Sequence, residues 1–197
     1  MKVDEWKAHI ERLRQDKDRF FAHDLQSPIQ PQHDVEFRGL DYFPPDPDLM
    51  IKVELHEHET KNTERMAYTK GEQQSFLRWG EFRFVRDGQK CVLQAYKMQA
   101  EEDQLFIPFK DETSGHETYG AGRYLDLHSE RDRFPDGSWS LDFNKAYNPW
   151  CCYSDQYTCP FVPRENWLSV PIRAGEKKYQ KSNENNGGSQ SVSPGSF

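Results

Sequence analysis

The chain lacks an excess of positive charge. It carries 26 Lys and Arg against 33 Asp and Glu, a formal net charge of -7 over 197 residues, and its basic residues are scattered rather than blocked. Nucleic-acid backbones select for clustered Lys and Arg, so nucleic acid is not an expected partner. Long apolar runs are also missing. No segment approaches the roughly 20 residues that cross a bilayer as a helix, and no membrane partner is expected. The opening MKVDEWKAHIERLR puts charges where a secretory signal needs an apolar stretch, which points to a cytoplasmic location. Cysteine is scarce, at four residues, and in a reducing compartment these stay thiols unless they bind metal or take part in redox chemistry. They form no CxxC pair. HExxH is absent, because Thr60 stands where the second histidine would be. Gly120-Ala121-Gly122 is not GxGxxG and has no strand–helix context. Zinc-ribbon, zincin and dinucleotide chemistry are thereby disfavoured, and no cofactor is expected.

What the chain does have is aromatic residues: thirteen Phe, nine Tyr and five Trp, 14% of the total, beside 30% charged residues. Large aromatic side chains supply much buried area each. The combination predicts a single domain over 1–179, with a core rich in aromatics and strongly polar edges.

Residues 4–23 read as an amphipathic helix. Trp6, Ile10, Leu13, Phe20 and Phe21 fall on one stripe, Asp4 is placed to cap the start, and Lys7, Glu11, Arg14, Asp18 and Arg19 take the wet face. Ser27-Pro28 stops it, since the residue before proline avoids the α region. Such a helix packs over a sheet; its sharper reading is a partner-binding or homodimerising surface. A proline-rich crossing follows over 28–48, anchored by Phe37, Leu40, Tyr42 and Phe43.

A β domain is expected from 50 to 179. Ile51, Val53 and Leu55 alternate with Lys52, Glu54 and His56 as a half-buried strand. Strands are predicted over 65–70, 76–85 and 91–98, with Asp87-Gly88 as a hairpin turn. Leu105–Phe109 reads as a strand buried on both faces, with Pro108 at an edge or bulge. Tyr119–Leu127 and Ser138–Asn144 are expected to pair across Pro135-Asp136-Gly137, and Leu168, Val170 and Ile172 alternate once more. About eight short strands behind one helix predict an antiparallel barrel or sandwich, not a βαβ fold. From Gln180 a tail with little apolar content is expected to lie outside the fold as a flexible appendage.

Three constellations are candidates for chemistry. His56 and His58 stand two apart, the spacing that aims two imidazoles the same way on a strand, but they share the polar face with Lys52 and Glu54. A solvated strand face is the better reading, and no metal site is assigned. Cys151, Cys152 and Cys159 lie in a loop after Asn148-Pro149. Three readings stay open for them: buried small hydrophobes, a disulfide closed across the loop, or a nucleophile at Cys151 with His116 or His128 as base. The third constellation lies in the stretch from Leu105 to Tyr179. Arg123 shares a strand face with Leu125 and Leu127, which draws its charge inward and calls for a carboxylate, with Asp142 or Glu117 as candidates. Asp142 and Asn144 share the face opposite Trp139, Leu141 and Phe143.

These residues give a ligand-binding expectation. Arg123 would clamp a small polar or anionic ligand, Asp142, Asn144 and Asn148 would orient it, and Tyr119, Tyr124 and Tyr147 would supply walls. The alternatives are a cofactor-independent hydrolase or lyase, with Asp142 or Glu117 as general base or Cys151 as nucleophile, and a structural or partner-binding protein.

Two segments, FIPFKDETSGHETYGAGRYLDL and LDFNKAYNPWCCYSDQYTCPFVPRENWLSVPIRAGEKKY, resemble the DUF1684 family of bacterial and archaeal proteins of unknown function. The KDRFF, SPI and FRGLDYFPPDPD segments are similar to that family's N-terminal pattern, so the resemblance spans roughly residues 10 to 179. It implies a single domain and no particular activity. The family's loop pattern resembles NPxCAY, and Cys152 stands here where alanine is usual, which argues against a shared role for Cys152. The resemblance also speaks against a metal role for His56 and His58.

Overall fold

The computed structural model describes residues 2–29 and 37–180. Most of the polar tail, from Lys181 onward, and part of the proline-rich crossing therefore lie outside the described residues. Helix α1 spans Val3–His23. Eight strands follow: β1 (Met50–Val53), β2 (Leu55–Glu57), β3 (Thr63–Ala67), β4 (Gln73–Arg86), β5 (Gln89–Lys97), β6 (Gln104–Phe109), β7 (Arg123–His128) and β8 (Trp139–Asp142). Between β7 and β8 lies the single helical turn α2 (Ser129–Asp132).

All strand pairings are antiparallel. One sheet runs β2-β4-β5-β6-β7, with β3 also paired to β4; the other is the pair β1-β8. Among the described residues no ladder closes either sheet into a barrel. Strand β4 is long enough to serve two partners along one edge, β3 beside its first half and β2 beside its second. A register shift between Arg78 and Gly80 separates the two. Gly80 is required there, because a Cβ would stand 2.8 Å from the His56 carbonyl oxygen and 3.0 Å from the Glu57 Cα. The β4–β5 hairpin turns through Asp87 and Gly88, both at positive φ, as the Asp-Gly signal predicts.

Three expectations about strands need correction. The run from Ile51 to His56 is not one strand: the chain leaves β1 at Val53, and β2 joins the other sheet. Alternation reports which face is buried and is blind to a change of sheet. Ser138–Asn144 does not pair with Tyr119–Leu127. β7 lies along β6 and β8 along β1, and the Pro135-Asp136-Gly137 turn closes only the single bridge of Arg133 to Trp139. Leu168, Val170 and Ile172 are buried as alternation predicts, yet this segment is irregular; it hydrogen-bonds to Lys110 and Glu112 beyond the end of β6.

The main core lies between the sheets. Phe82, Phe84, Leu93, Ala95, Leu105, Ile107, Phe109, Leu125 and Leu127 face Val53, Trp139, Leu141 and Phe143, with Val170, Ile172 and Ala174 closing the side. The other face of the large sheet carries a smaller cluster of Met66, Phe76 and Tyr96 with Phe106 beside it. Pro108 breaks the β5–β6 ladder by removing an N–H, and buried Asn166 repairs the gap. Its side-chain oxygen accepts from Gln94 N–H at 2.7 Å, while its amide donates to the carbonyls of Gln94 at 2.9 Å and Pro108 at 2.6 Å.

Helix α1 docks by Trp6, Ile10 and Phe21, each stabilising the packing by about 2 kcal/mol through burial. Leu13, expected on that stripe, is exposed, and the stripe continues instead through Arg14 and Lys17. The helix begins one residue early, after Lys2, whose backbone N–H donates to the Glu5 carboxylate at 3.2 Å; Asp4 lies in its first turn.

Candidate functional site

Arg123 is the largest charged side chain in the interior and is 1% exposed. β7 aims it inward with Leu125 and Leu127, as alternation predicts. Its carboxylate partner is Asp111, at 2.8 Å, rather than Asp142 or Glu117. The guanidinium also donates to the backbone oxygens of Ile172 at 2.7 Å, Glu176 at 3.2 Å and Ala174. Burial pulls its pKa below the ordinary arginine value, and Asp111 opposes that shift. Asp111 further accepts from the backbone N–H of Thr113 at 2.7 Å. The pair therefore stitches β7 to the loop after β6 and to the 172–176 segment.

Asp142, Asn144 and Asn148 are likewise buried and engaged. One Asp142 oxygen accepts from the indole of Trp6 at 2.9 Å; the other accepts from the Asn144 backbone and side chain at 3.0 and 2.9 Å. The Asn144 amide pairs with the backbone of Asp46 in both directions at 2.8 Å, a side-chain substitute for a strand bridge. Asn148 donates to the Lys177 carbonyl at 2.8 Å, and its Oδ1 is buried with no hydrogen-bond partner among the described residues. Tyr124 donates to the Pro160 carbonyl, while Tyr147 donates to Asp126 at 2.6 Å. The two rings meet edge to face, and burial raises both phenol pKa values. The six expected site residues thus lie close along the chain path. Of these, Asn144 and Tyr147 reach the wall of a cavity beside α1.

That cavity, of about 150 Å³, opens between α1 and the segment following β8. Arg14, Lys17, Tyr42, Asn144, Lys145, Tyr147 and Glu176 are its polar lining, and Ile10, Leu13 and Ala146 its apolar lining. Glu176 is 1% exposed and is reached through Gly175, whose φ of 73° and whose Cβ position, 2.5 Å from the Ala146 carbonyl oxygen, exclude any side chain there. Its carboxylate accepts from Lys17, from Tyr153 and, at 2.8 Å, from the Asn148 backbone. Arg14 stacks over the Tyr42 ring at 4.6 Å and donates one hydrogen bond, to the Phe43 carbonyl at 2.9 Å. Its Nε and Nη2 and the Tyr42 hydroxyl are buried with no hydrogen-bond partner among the described residues. Desolvation lowers the Arg14 pKa and raises that of Tyr42. From the sequence, Arg14 belongs to the wet face and Lys17 has no assigned side. Their spacing held the contrary signal, since residues 10, 14, 17 and 21 lie on one helical stripe. For Glu176, a carboxylate behind a required glycine, no comparable signal exists.

The remaining candidates are dispersed. Glu117 is exposed and paired with Arg173. His56 is exposed on β2, and His58 meets the Gln94 side chain at 2.9 Å. Among the described residues no group of three or more His, Cys, Asp or Glu is placed to hold a metal ion. Of the expected tyrosine walls, Tyr119 stands near the cysteine loop, its hydroxyl 3.9 Å from Cys151 Sγ. The groups acting most strongly on the Cys151 thiol are Cys159, Tyr119 and Cys152, rather than His116 or His128.

The fold and its buried polar centre define an antiparallel β domain clasped by an N-terminal helix, and among the described residues no helix is long and apolar enough to cross a membrane. The chain belongs to the DUF1684 family, described as protein of unknown function, whose pattern matches residues 35–177. A solution NMR structure of an uncharacterised protein of Haloarcula marismortui is similar at 38% identity and a TM-score of 0.68, covering 89% of this chain and 95% of that one. No curated protein matches the sequence.

Proposed function

We propose that the protein binds a small anionic or polar ligand in the cleft between α1 and the segment following β8. The observation that carries this reading is Arg14: a desolvated guanidinium on a cavity wall with two nitrogens lacking hydrogen-bond partners among the described residues. Buried donors are normally satisfied, and a planar guanidinium suits the two oxygens of a carboxylate or phosphate. Lys17 and the Tyr42 hydroxyl stand beside it, with Asn144 and Tyr147 completing the wall. Arg123, Tyr124, Asp142 and Asn148 support this site from behind, by fixing the backbone that carries it. A cleft of about 150 Å³ suits a group of a few heavy atoms.

The test is thermal unfolding of the full chain against phosphate, sulfate, acetate and malonate at constant ionic strength. At least one anion should raise the melting temperature of the wild type, and Arg14→Gln should abolish that rise while leaving the anion-free melting point within a few degrees. A rise that survives Arg14→Gln, or no rise with any anion, overturns the reading.

A further inference from the structure

The cysteine loop lies apart from this cleft and is built with care. Pro149 starts a short 3-10 turn, Trp150–Cys152, that exposes part of Cys151. Residues 159–161 are tied to the chain just past β3. The Cys159 N–H donates to Thr69 Oγ1 at 3.2 Å, the Thr69 N–H to the Cys159 carbonyl at 3.1 Å, and the Phe161 N–H to the Ala67 carbonyl at 2.9 Å. Two separately anchored pieces of backbone thus bring two sulfurs together. The Cys151 N–H points at Cys159 Sγ at 3.4 Å. None of the four cysteines is in a disulfide. Cys91 and Cys152 differ in setting: Cys91 packs in the main core, and Cys152 against Phe21 and Tyr153.

We infer that Cys151 and Cys159 form a thiol–disulfide exchange pair, with Cys151 as the attacking sulfur and Cys159 as the resolving one, acting on low-molecular-weight disulfides. Cys151 is half-buried and reaches solvent, whereas Cys159 is 7% exposed. Only the former can meet an external disulfide.

The chemistry closes without a further reactant. Cys151 passes its proton to the Cys159 sulfur and attacks one sulfur of RS–SR; the RS–SR bond breaks and RS⁻ leaves. Cys159 then gives up that proton and attacks the Cys151 sulfur of the mixed disulfide, and the second RS⁻ leaves. The one proton and the two thiolates make one RSH and one RS⁻, which takes its proton from solvent; the protein is oxidised by two electrons and the small disulfide reduced by two.

Access rather than ionisation sets this division of labour: Cys159 is the more acidic thiol, and Cys151 must pass its proton to it before attack. The hydrogen bond from Cys151, helped by the backbone N–H groups of Cys151 and Trp150, pushes Cys159 down to about 7, while its thiolate pushes the Cys151 thiol up. Tyr68, Tyr119 and Tyr124, which face the pair, are all raised by burial and stay neutral in this range. Cys159 is therefore partly ionised at neutral pH and can accept the Cys151 proton.

The reduced full chain is treated with glutathione disulfide at neutral pH, then mapped by non-reducing peptide mass analysis. A Cys151–Cys159 crosslink is expected, with two equivalents of glutathione released and full reversal by dithiothreitol. Cys159→Ser should stop at a glutathione adduct on Cys151, and Cys151→Ser should form neither adduct nor crosslink. Circular dichroism of both variants confirms folding, with the alanine variants replacing any that do not fold. The proposal fails if the adduct sits on Cys159, if a crosslink involves Cys91 or Cys152, or if the pair reacts no faster than the same thiols in the denatured chain. The anion experiment is read on reduced protein, so either result stands without the other.

Discussion

Two arginines of this molecule face opposite circumstances. Arg123 is enclosed by Asp111 and three backbone carbonyls, while Arg14 has one carbonyl, an aromatic face and two nitrogens with no hydrogen-bond partner among the described residues. A charge in the interior survives only if its desolvation is compensated by partners. The first arginine meets that condition within the protein at both terminal nitrogens, with its Nε alone lacking a hydrogen-bond partner among the described residues, and therefore acts as a structural joint. The second meets it only in part, and it does so beside an open cleft. The presence of a buried arginine therefore says little about binding; its unfilled hydrogen-bonding capacity says more.

The largest test of this contrast removes the joint. Arg123→Met leaves the Asp111 carboxylate buried and several carbonyls unpaired, and should destabilise the fold by about 3–5 kcal/mol in urea unfolding. Arg123→Lys should rescue little, because one ammonium cannot span four acceptors. A loss below about 1 kcal/mol would return Arg123 to the list of groups available to a ligand.

Asn166 sharpens the same idea with a neutral group. Asn166→Ala strands three backbone groups of β5 and β6 and should cost about 3 kcal/mol, measured by denaturant midpoint at unchanged slope. Arg14→Gln, in contrast, should change stability by less than about 1 kcal/mol while removing an anion effect of about 2.7 kcal/mol at a hundredfold excess over Kd. Equal losses of stability at the two arginines would break the comparison.

The cysteine pair predicts a pH effect of defined sign. Cys159 has a folded pKa of about 7, below that of an unfolded thiol. Its contribution to stability is present above the unfolded value and is lost as pH falls through about 7. Ultraviolet thiolate absorbance of the folded protein should show one sulfur ionising near that pH. The step should vanish in Cys159→Ser and move upward in Cys151→Ser, since the Cys151 hydrogen bond is the largest cause of the depression. A titration starting only near the ordinary cysteine range would remove this support for the exchange pair. The smallest effect belongs to Lys52 and Asp136, both exposed, whose double replacement by alanine should leave the melting temperature unchanged.

Much of the framework is legible along the chain, because it rests on local signals. Asp87-Gly88 dictates its hairpin through positive φ, the 82/84 alternation and the continuous apolar run over 105–109 name core positions, and the alternation at 123, 125 and 127 draws Arg123 inward. Where Arg123 finds its carboxylate is another matter. Asp111 lies in a loop with no periodicity to declare its direction, and the candidates Asp142 and Glu117 were equally plausible by spacing.

The sequence by itself determined an antiparallel β domain with a docking helix, its main core residues, its family and the inward charge of β7, since periodicity, turn chemistry and extended family motifs are properties of neighbours along the chain. Only the tertiary structure decided that β1 and β2 belong to different sheets, that Asn166 bridges the gap left by Pro108, and that Arg14, Tyr42 and Glu176 meet at one cleft. The same holds for Cys151 and Cys159, eight residues apart, where separate backbone anchors bring the Cys159 sulfur onto the Cys151 N–H. Such convergences depend on hydrogen-bond geometry between distant segments, and no local pattern encodes it.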